Sequence, residues 1–593
     1  MKKTKQFVAA ILIGILLLTT TACGNTKPAE NSASGSQTPV SSTDSGGASS
    51  SSAEKPNELA WLDASGKLPI VAEGTEKTLS IYYLEGSTDS GDPEGSWLYQ
   101  FIENHMNINL EVTTFSTTNK AEFLSLAFAG DELPDIIIGG GFTTTQLMNY
   151  GASEGQLVDL APYINETYMP NFTKLYQDYN YIKEGVTDAD GHVWSLGFFT
   201  SPASRDSISR SFLNYDMLEE MNIPVPTTLD EFVDLLRKVK AQYPDSYPAG
   251  GSYAYQSQLP LYIMNAYGYI TTDNRGLSVA LRDGEVVLPV ADRAAYGAYL
   301  TTMNALYKEG IMHPDYFTMD TAATKANLSD SNIMFMPQAA YLFQPDNYEA
   351  YWGALPLTSD YNDTPQWPAA KGATPGQAVV TSHCKDVELA AAFLDWFYNE
   401  DNYQMSISGP SADLKEYTTE KVPGWVWSDD WKKINTYYDE HASEYASSAD
   451  YLFKEVKMWN NSILGVNIDA TSNPQSWNYK SDPDLSAYAN KADGRHSMGE
   501  KMGDKHFRLG LQYTLKDYVT LDTYPSAVYF DAETASYLNS LYVIISEYAT
   551  QETAKFITGA RSLDELDAYF DEIEKLGAKE YVQYYSDYYK SIK

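Results

Sequence analysis

Between Thr78 and Ile138 the chain switches four times between a period of two and a period near 3.6, and that alternation restricts the fold more than any other feature. Thr78-Leu79-Ser80-Ile81-Tyr82-Tyr83-Leu84 is a β-rich run. From about Ser96, the spacing of Trp97, Phe101, Ile102 and His105 puts them on one helical face. Ile108 to Phe115 alternates as a half-buried strand does, residues 119–129 carry a helical pattern ending near Gly130, and Pro134-Asp135-Ile136-Ile137-Ile138 reads as a fully buried strand. Strand, helix, strand, helix, strand predicts a mostly parallel α/β sheet covered on both faces. Roughly 535 residues follow position 56, too many for one core, so two lobes or more are expected.

The first 22 residues stand apart from this. Lys2, Lys3 and Lys5 precede an uninterrupted apolar stretch of twelve residues, Phe7 to Leu18. A bilayer needs ~20 apolar residues, so the stretch reads as a secretory signal peptide. Thr20-Thr21-Ala22-Cys23-Gly24 resembles a bacterial lipobox, with Thr20 where leucine is usual, which makes Cys23 the expected lipidated N-terminus of the mature chain. Residues 23–56 are Ser, Gly, Thr, Asn and Ala with almost no apolar surface, the composition of a disordered tether. As a flexible coil, ~30 such residues have an end-to-end distance of roughly 30 Å.

Charge and cysteine count narrow the function further. The chain carries 79 Asp and Glu against 41 Lys and Arg, a formal net charge of −38, which argues against nucleic acid as a partner and in favour of solubility. There are two cysteines; with Cys23 assigned to lipid, Cys384 has no partner, so the exported domain relies on its core alone. Cys384 sits between an apolar run and a helix and is expected to be a small core residue.

Several motifs then carry a resemblance. Ala129-Gly130-Asp131-Glu132-Leu133-Pro134-Asp135 is similar to the (S/A)-G-D-x-L-P-D signature of the extracellular solute-binding proteins of ABC importers, in the carbohydrate-type group called family 1. Gln156 to Ile164, Asp190-Gly191-His192-Val193-Trp194, Pro226-Thr227-Thr228-Leu229-Asp230-Glu231-Phe232, the helix Glu388 to Phe397 and the tail Phe556 to Tyr581 resemble further family elements in the family's order, so the resemblance spans about residues 77–593. It implies a type II periplasmic-binding-protein-like fold, with two α/β lobes flanking a ligand cleft. On that scheme 77–200 is the first part of lobe 1, 201–370 is lobe 2, 371–410 returns to lobe 1, and 411–593 is a mainly helical part shared between lobes, with helices such as 431–461 and 532–558. The crossings are expected at Phe198 to Ser204, where patterning lapses, and at Lys371 to Gly376. The motif residues themselves have scaffold roles: Gly130 to end a helix, Asp190-Gly191 to turn a hairpin, Thr227 or Thr228 to cap a helix.

Catalytic chemistry finds no motif. The seven histidines form no HExxH, the closest pair being His496 and His506, and there is no P-loop, no G-x-S-x-G and no Cys/His zinc spacing. Asp188-Ala189-Asp190-Gly191 starts like a calcium loop without its third ligand or distal glutamate. Some family relatives hold a structural calcium, and no position here matches well enough to carry it over, so no cofactor or metal is expected. Aromatic residues are abundant, 47 Tyr, 11 Trp and 21 Phe, and sugar rings lie well on flat aromatic faces. Ligands of open α/β sheets bind beyond the carboxyl ends of the strands. That rule selects Tyr83 and Glu85 after the first strand and Phe142 after Gly139-Gly140-Gly141. Arg205 and Arg210 follow the first crossing and suit hydroxyls or a carboxylate. Gln338 follows Ile333-Met334-Phe335-Met336-Pro337, where the family faces its cleft, and Trp352, Trp367 and Trp477 lie in Pro/Asn/Gly-rich loops that favour exposure.

The expectation is a monomeric, non-enzymatic receptor, lipid-anchored on the outer face of a cell membrane, Gram-positive by its leader, which captures an oligosaccharide by lobe closure and hands it to ABC permease subunits. A peptide or other solute on the same scaffold, a surface polysaccharide-degrading enzyme, and an adhesion or signalling module are the alternatives.

Overall fold

The computed structural model describes residues 59–86, 92–200, 211–338, 340–343, 347, 350–368, 372–427, 433–468, 514–515 and 517–593. All of them belong to one compact unit, Glu58–Lys593.

The paired periodicities of the first segment become β1 (Thr78–Leu84), α1 (Trp97–Phe101), β2 (Asn109–Phe115), α2 (Lys120–Gly130) and β3 (Ile136–Ile138). β1 pairs in parallel with both β2 and β3. The sheet is completed by the strand Ala373–Val380, antiparallel to β3, then by β4 (Leu196–Thr200), and at the edge by Gly465–Asn467, giving six strands. Strand side chains alternate between two interiors, as the pleat requires. Leu79, Ile81 and Tyr83 of β1, Ile136 and Ile138 of β3, and Ala378 and Val380 enter one core with α1 and the helix Val387–Trp396. Ile137 and Val379 point the other way, into a smaller cluster with Phe128, Phe142, Tyr529 and Tyr588. A sheet covered on both faces has no solvent side, which is why β3 reads as Ile-Ile-Ile and not as an alternation.

A second large core lies elsewhere in the unit. It gathers the three-stranded sheet of β5 (Phe212–Asn214), Phe335–Met336 and Tyr351–Gly353, the helices Leu229–Gln242, Gln258–Ala266 and Ala295–Lys308, and, from the far end of the chain, Ala532–Thr558 and Leu566–Lys575. The first core draws on residues from Ala64 to Phe199 and from Ala373 to Ile468; the second draws on Phe212 to Trp367 and on Leu515 to Tyr581. The chain therefore passes between cores three times among these segments. This is the two-lobed α/β architecture of the solute-binding fold.

Local details depart from the sequence expectations in instructive ways. Residues 196–200 are strand β4, not a lapse in structure, and the Gly/Pro run Ala373 to Gly376 lies within a strand that bulges between Thr374 and Ala378. The bulge exists because Gly376 adopts φ +76° and donates its N–H to Ser195 Oγ at 2.9 Å. β4 comes so close that a methyl on Gly197 would sit 1.9 Å from the Thr374 carbonyl oxygen. α2 ends on a left-handed residue, but that residue is Asp131 (φ 54°); Gly130 is the last helical position. The segment 431–461 is not one helix: it holds the strand Lys433–Asn435, paired with Trp425–Trp427, and short helical turns capped by Asn435 and Ser447. Ala532–Thr558, by contrast, is a single helix of 27 residues. Thr228 caps the helix Leu229–Gln242 in a reciprocal box with Glu231. Cys384 is buried in the first core, which pushes its thiol pKa up to about 12.

Candidate functional site

At the carboxyl ends of β1 and β3 the backbone is unusually bare. Beyond Ile138 come Gly139 (φ +84°), Gly140 and Gly141 (φ +61°). The loop is fixed at both ends to the neighbouring strand: Gly139 N–H donates to the Gln377 carbonyl at 2.6 Å and Phe142 N–H to the Gly376 carbonyl at 2.8 Å. There is no room for side chains below it, since a methyl on Gly139 would lie 2.5 Å from Leu84 Cβ and one on Gly140 2.2 Å from the Phe142 ring. Glycine here lets the chain turn with positive φ and lets the Phe142 ring close under the loop.

Polar side chains surround that bare loop. A methyl on Gly141 would be 2.9 Å from Lys120 Nζ and 4.0 Å from Gln377 Nε2, so two nitrogen donors converge on one spot. Lys120 opens α2 after β2, and Gln377 lies within the bulge between Thr374 and Ala378. Glu85 is the first residue past β1, its N–H held by the Phe115 carbonyl at 3.0 Å. Lys120, Gln377 and Glu85 are half-buried, and their side chains form no hydrogen bond or ion pair among the described residues. The N–H groups of Gly140 and Gly141 likewise have no acceptor among the described residues. Half-buried polar groups that converge without a protein partner are open to water or to a ligand.

The wall on the other side is formed by 453–463. The Phe453 ring presses on Gly86, 2.4 Å from where a methyl would be, and Ile463 Cδ1 would be 3.3 Å from a methyl on Gly139. Lys457 is buried in this wall, its Nζ 4.0 Å from the Phe453 ring centroid and bonded to Asn461 Oδ1. Burial pulls its pKa down to about 8. In the second core's sheet, Gln338 follows Phe335–Met336 and meets Gln256 Oε1 at 3.5 Å; the turn 250–256 is pinned by Ser252 N–H to the Tyr255 carbonyl and by φ +59° at Gln256. Tyr253 and Tyr255 on this turn are half-buried, with Arg275 and Lys325 over their rings.

The structure brings Glu85 to the strand-end cluster and Gln338 to the turn of the other sheet. It turns four other selected residues inward. Tyr83 is 1% exposed because the pleat aims it into the core, edge-on to Trp459, and burial raises its hydroxyl pKa. Phe142 packs edge-on to Phe128 at 5.7 Å under the glycine loop. Trp352 lies in the strand Tyr351–Gly353, paired with β5, and Trp367 is 1% exposed where Trp367–Pro368 pairs with Val519–Thr520. The loop composition that favoured exposure for these two is overridden by short strand pairings that cover them. Cys23, Arg205, Arg210 and Trp477 lie outside the described residues. The sequence reading missed Lys120, which opens α2, and Gln377, which lies inside the strand Ala373–Val380 and not beyond its end.

The Asp188 loop is a hairpin turn. Asp188 Oδ1 accepts from the N–H groups of Asp190 and His192, and Oδ2 accepts from Trp194 Nε1 at 2.9 Å. Among the described residues, no three His, Cys, Asp or Glu side chains gather as a metal site. These residues do not fit a bound calcium.

Comparison with known proteins sets this geometry in a family. The fructooligosaccharide ABC transporter substrate-binding protein FusA of Streptococcus pneumoniae serotype 4 is 22% identical over 545 residues, covering 87% of this chain and 91% of its own. Among solved structures, an HMO-binding ABC-transporter-associated solute-binding protein from Bifidobacterium longum infantis superposes with a TM-score of 0.61 at 17% identity, over 87% of this chain and 99% of its own. The EF-hand mutant of the Streptococcus pneumoniae FusA protein in complex with fructo-nystose gives 0.55 at 18% identity, over 87% and 99%. The family model for bacterial extracellular solute-binding proteins matches residues 89–404, more than half of the chain, and the chain belongs to that family.

Proposed function

We propose that this protein is the membrane-anchored receptor of an ABC importer, capturing an oligosaccharide outside the cell and presenting it to permease subunits. The reading is carried by near full-length similarity to a fructooligosaccharide-binding transporter component, 87% of this chain against 91% of that one. The polar cluster at the strand ends, without hydrogen-bond partners among the described residues, supports it, because Glu85 can accept from sugar hydroxyls while Lys120 and Gln377 donate to them. Residues 77–200 and 371–410 with the strand Gly465–Asn467 make the first lobe, and 201–370 with the C-terminal helices make the second. Closure would bring Gln338 and Gln256 of the second lobe towards Glu85, Lys120 and Gln377 of the first; Arg205, Arg210 and Trp477 are further candidate contacts. Cys23 carries the lipid, residues 24–56 serve as a leash, and the protein acts as a monomer on the outer face of a Gram-positive membrane.

A thermal-shift screen of the chain from Asn57 against neutral and acidic oligosaccharides, monosaccharides and short peptides tests the reading. A ligand at a hundred times its Kd stabilises the native state by ~2.7 kcal/mol, a readable shift. A shift with an oligosaccharide recovered intact supports the receptor; a shift with peptides alone replaces the cargo, and cleaved sugar replaces the receptor with an enzyme. The anchor is tested separately, by membrane fractionation and lipid labelling of the full chain, both of which Cys23→Ser should abolish.

A further inference from the structure

The cluster over the glycine loop is lopsided, and the imbalance bears on which sugars fit. Around Gly140 and Gly141 stand the Lys120 ammonium, the Gln377 amide and two consecutive backbone N–H groups, all without acceptors among the described residues. A neutral hydroxyl offers two lone pairs and brings a proton of its own, so it meets a group of converging donors that includes a positive charge less fully than an anion does. A carboxylate only accepts and offers about four lone-pair sites. No carboxylate reaches the Lys120 ammonium among the described residues. Lys457, in the wall opposite, is another ammonium whose only hydrogen-bond partner among the described residues is neutral, Asn461. Glu85 is the carboxylate on the neighbouring strand end; the more distant carboxylates of the chain are screened beyond ~10 Å at 0.1 M salt, whereas Lys120 acts at contact.

We infer that Lys120, Gln377 and the N–H groups of Gly140 and Gly141 form a carboxylate-recognising subsite, and that the captured oligosaccharide carries uronic acid residues. Glu85, on the neighbouring strand end, then accepts from hydroxyls of the same or the adjoining ring. This inference rests on the receptor reading and narrows it.

The test is isothermal titration of the chain from Asn57 with tri- and tetragalacturonate, with the same oligosaccharides after carboxyl reduction to galactose, and with inorganic sulfate. Expected is tighter binding of the acidic form by at least tenfold. Lys120→Met should cut the acid-to-neutral affinity ratio by tenfold or more, Lys120→Arg should restore most of it, and neither should shift the melting temperature of the ligand-free protein. Equal affinity for both forms, or a ratio unchanged in Lys120→Met, overturns the carboxylate subsite and leaves the receptor standing. Sulfate binding without any acidic sugar also overturns it, as a free-oxyanion site. No binding of any oligosaccharide in the wider screen would instead remove the receptor reading itself.

Discussion

Single residues in this protein divide into those already satisfied and those held ready. Asp395 is satisfied: buried at 1% exposure, it accepts from Phe172 N–H at 2.7 Å and from both nitrogens of Asn171, so it caps the helix Pro170–Asp178 from the helix Val387–Trp396. Burial nevertheless outweighs these bonds and raises its pKa from 3.8 to about 6. A carboxyl with a raised folded pKa binds its proton more tightly in the native state, so its contribution to stability falls as pH rises from about 4 to about 6 and is level outside that window. The melting temperature of the native chain minus that of Asp395→Asn should therefore drop across pH 4–6; a flat difference would place the titration elsewhere. Glu85 is held ready. Glu85→Ala removes a charged acceptor whose hydrogen bond to a hydroxyl contributes ~1.5–3 kcal/mol, so oligosaccharide affinity should weaken ten- to a hundredfold with an unchanged ligand-free melt. The sequence exposed Glu85 because it stands next to an obvious strand. It concealed Lys120 and Gln377, because their convergence depends on a bulge and on a crossing from a distant strand, neither of which has a local pattern.

Elements were legible where their determinants are local. The helix Ala532–Thr558 matches its predicted limits because Asp531 caps one end, accepting from Thr534 N–H at 2.9 Å, and Gly559 at φ 77° ends the other. Asp531→Ala should cost about 1 kcal/mol, seen as a lower midpoint in urea unfolding followed by the helical circular dichroism signal. Residues 431–461 misled for the converse reason. Their apolar spacing suits a helix, but Asn435 and Ser447 restart it as caps and Trp425–Trp427 claims the first residues as a strand. Between elements, the tight approach of β4 to the strand Ala373–Val380 has no local signature beyond a glycine. Gly197→Ala would drive a methyl into the Thr374 carbonyl, and a loss of ~1–3 kcal/mol is expected from overpacking of this kind. A larger midpoint shift than that of Asp531→Ala, in the same urea titration, checks it.

For the whole molecule, α/β architecture followed from alternating periodicity, more than one lobe from chain length and the two-lobed class from the motif resemblance, and the assignment of the tail followed from none of them. Leu515 to Tyr581 joins the second core and Gly465–Asn467 edges the first sheet, pairings across hundreds of residues that no periodicity encodes. Closure of the lobes on an oligosaccharide should reduce the radius of gyration in small-angle scattering, and a non-binding sugar should leave it unchanged. The same interleaving has a consequence for the order of events in biogenesis. The first core is not complete until Ile468 has joined it, and the second waits for Tyr581, so neither can close on an early portion of the chain. A polypeptide leaving the cell amino end first would emerge for most of its length before it could bury a core. It would stay threadable throughout passage, without a dedicated holding factor to keep a finished lobe from jamming the channel, and fold only as its last helices emerge.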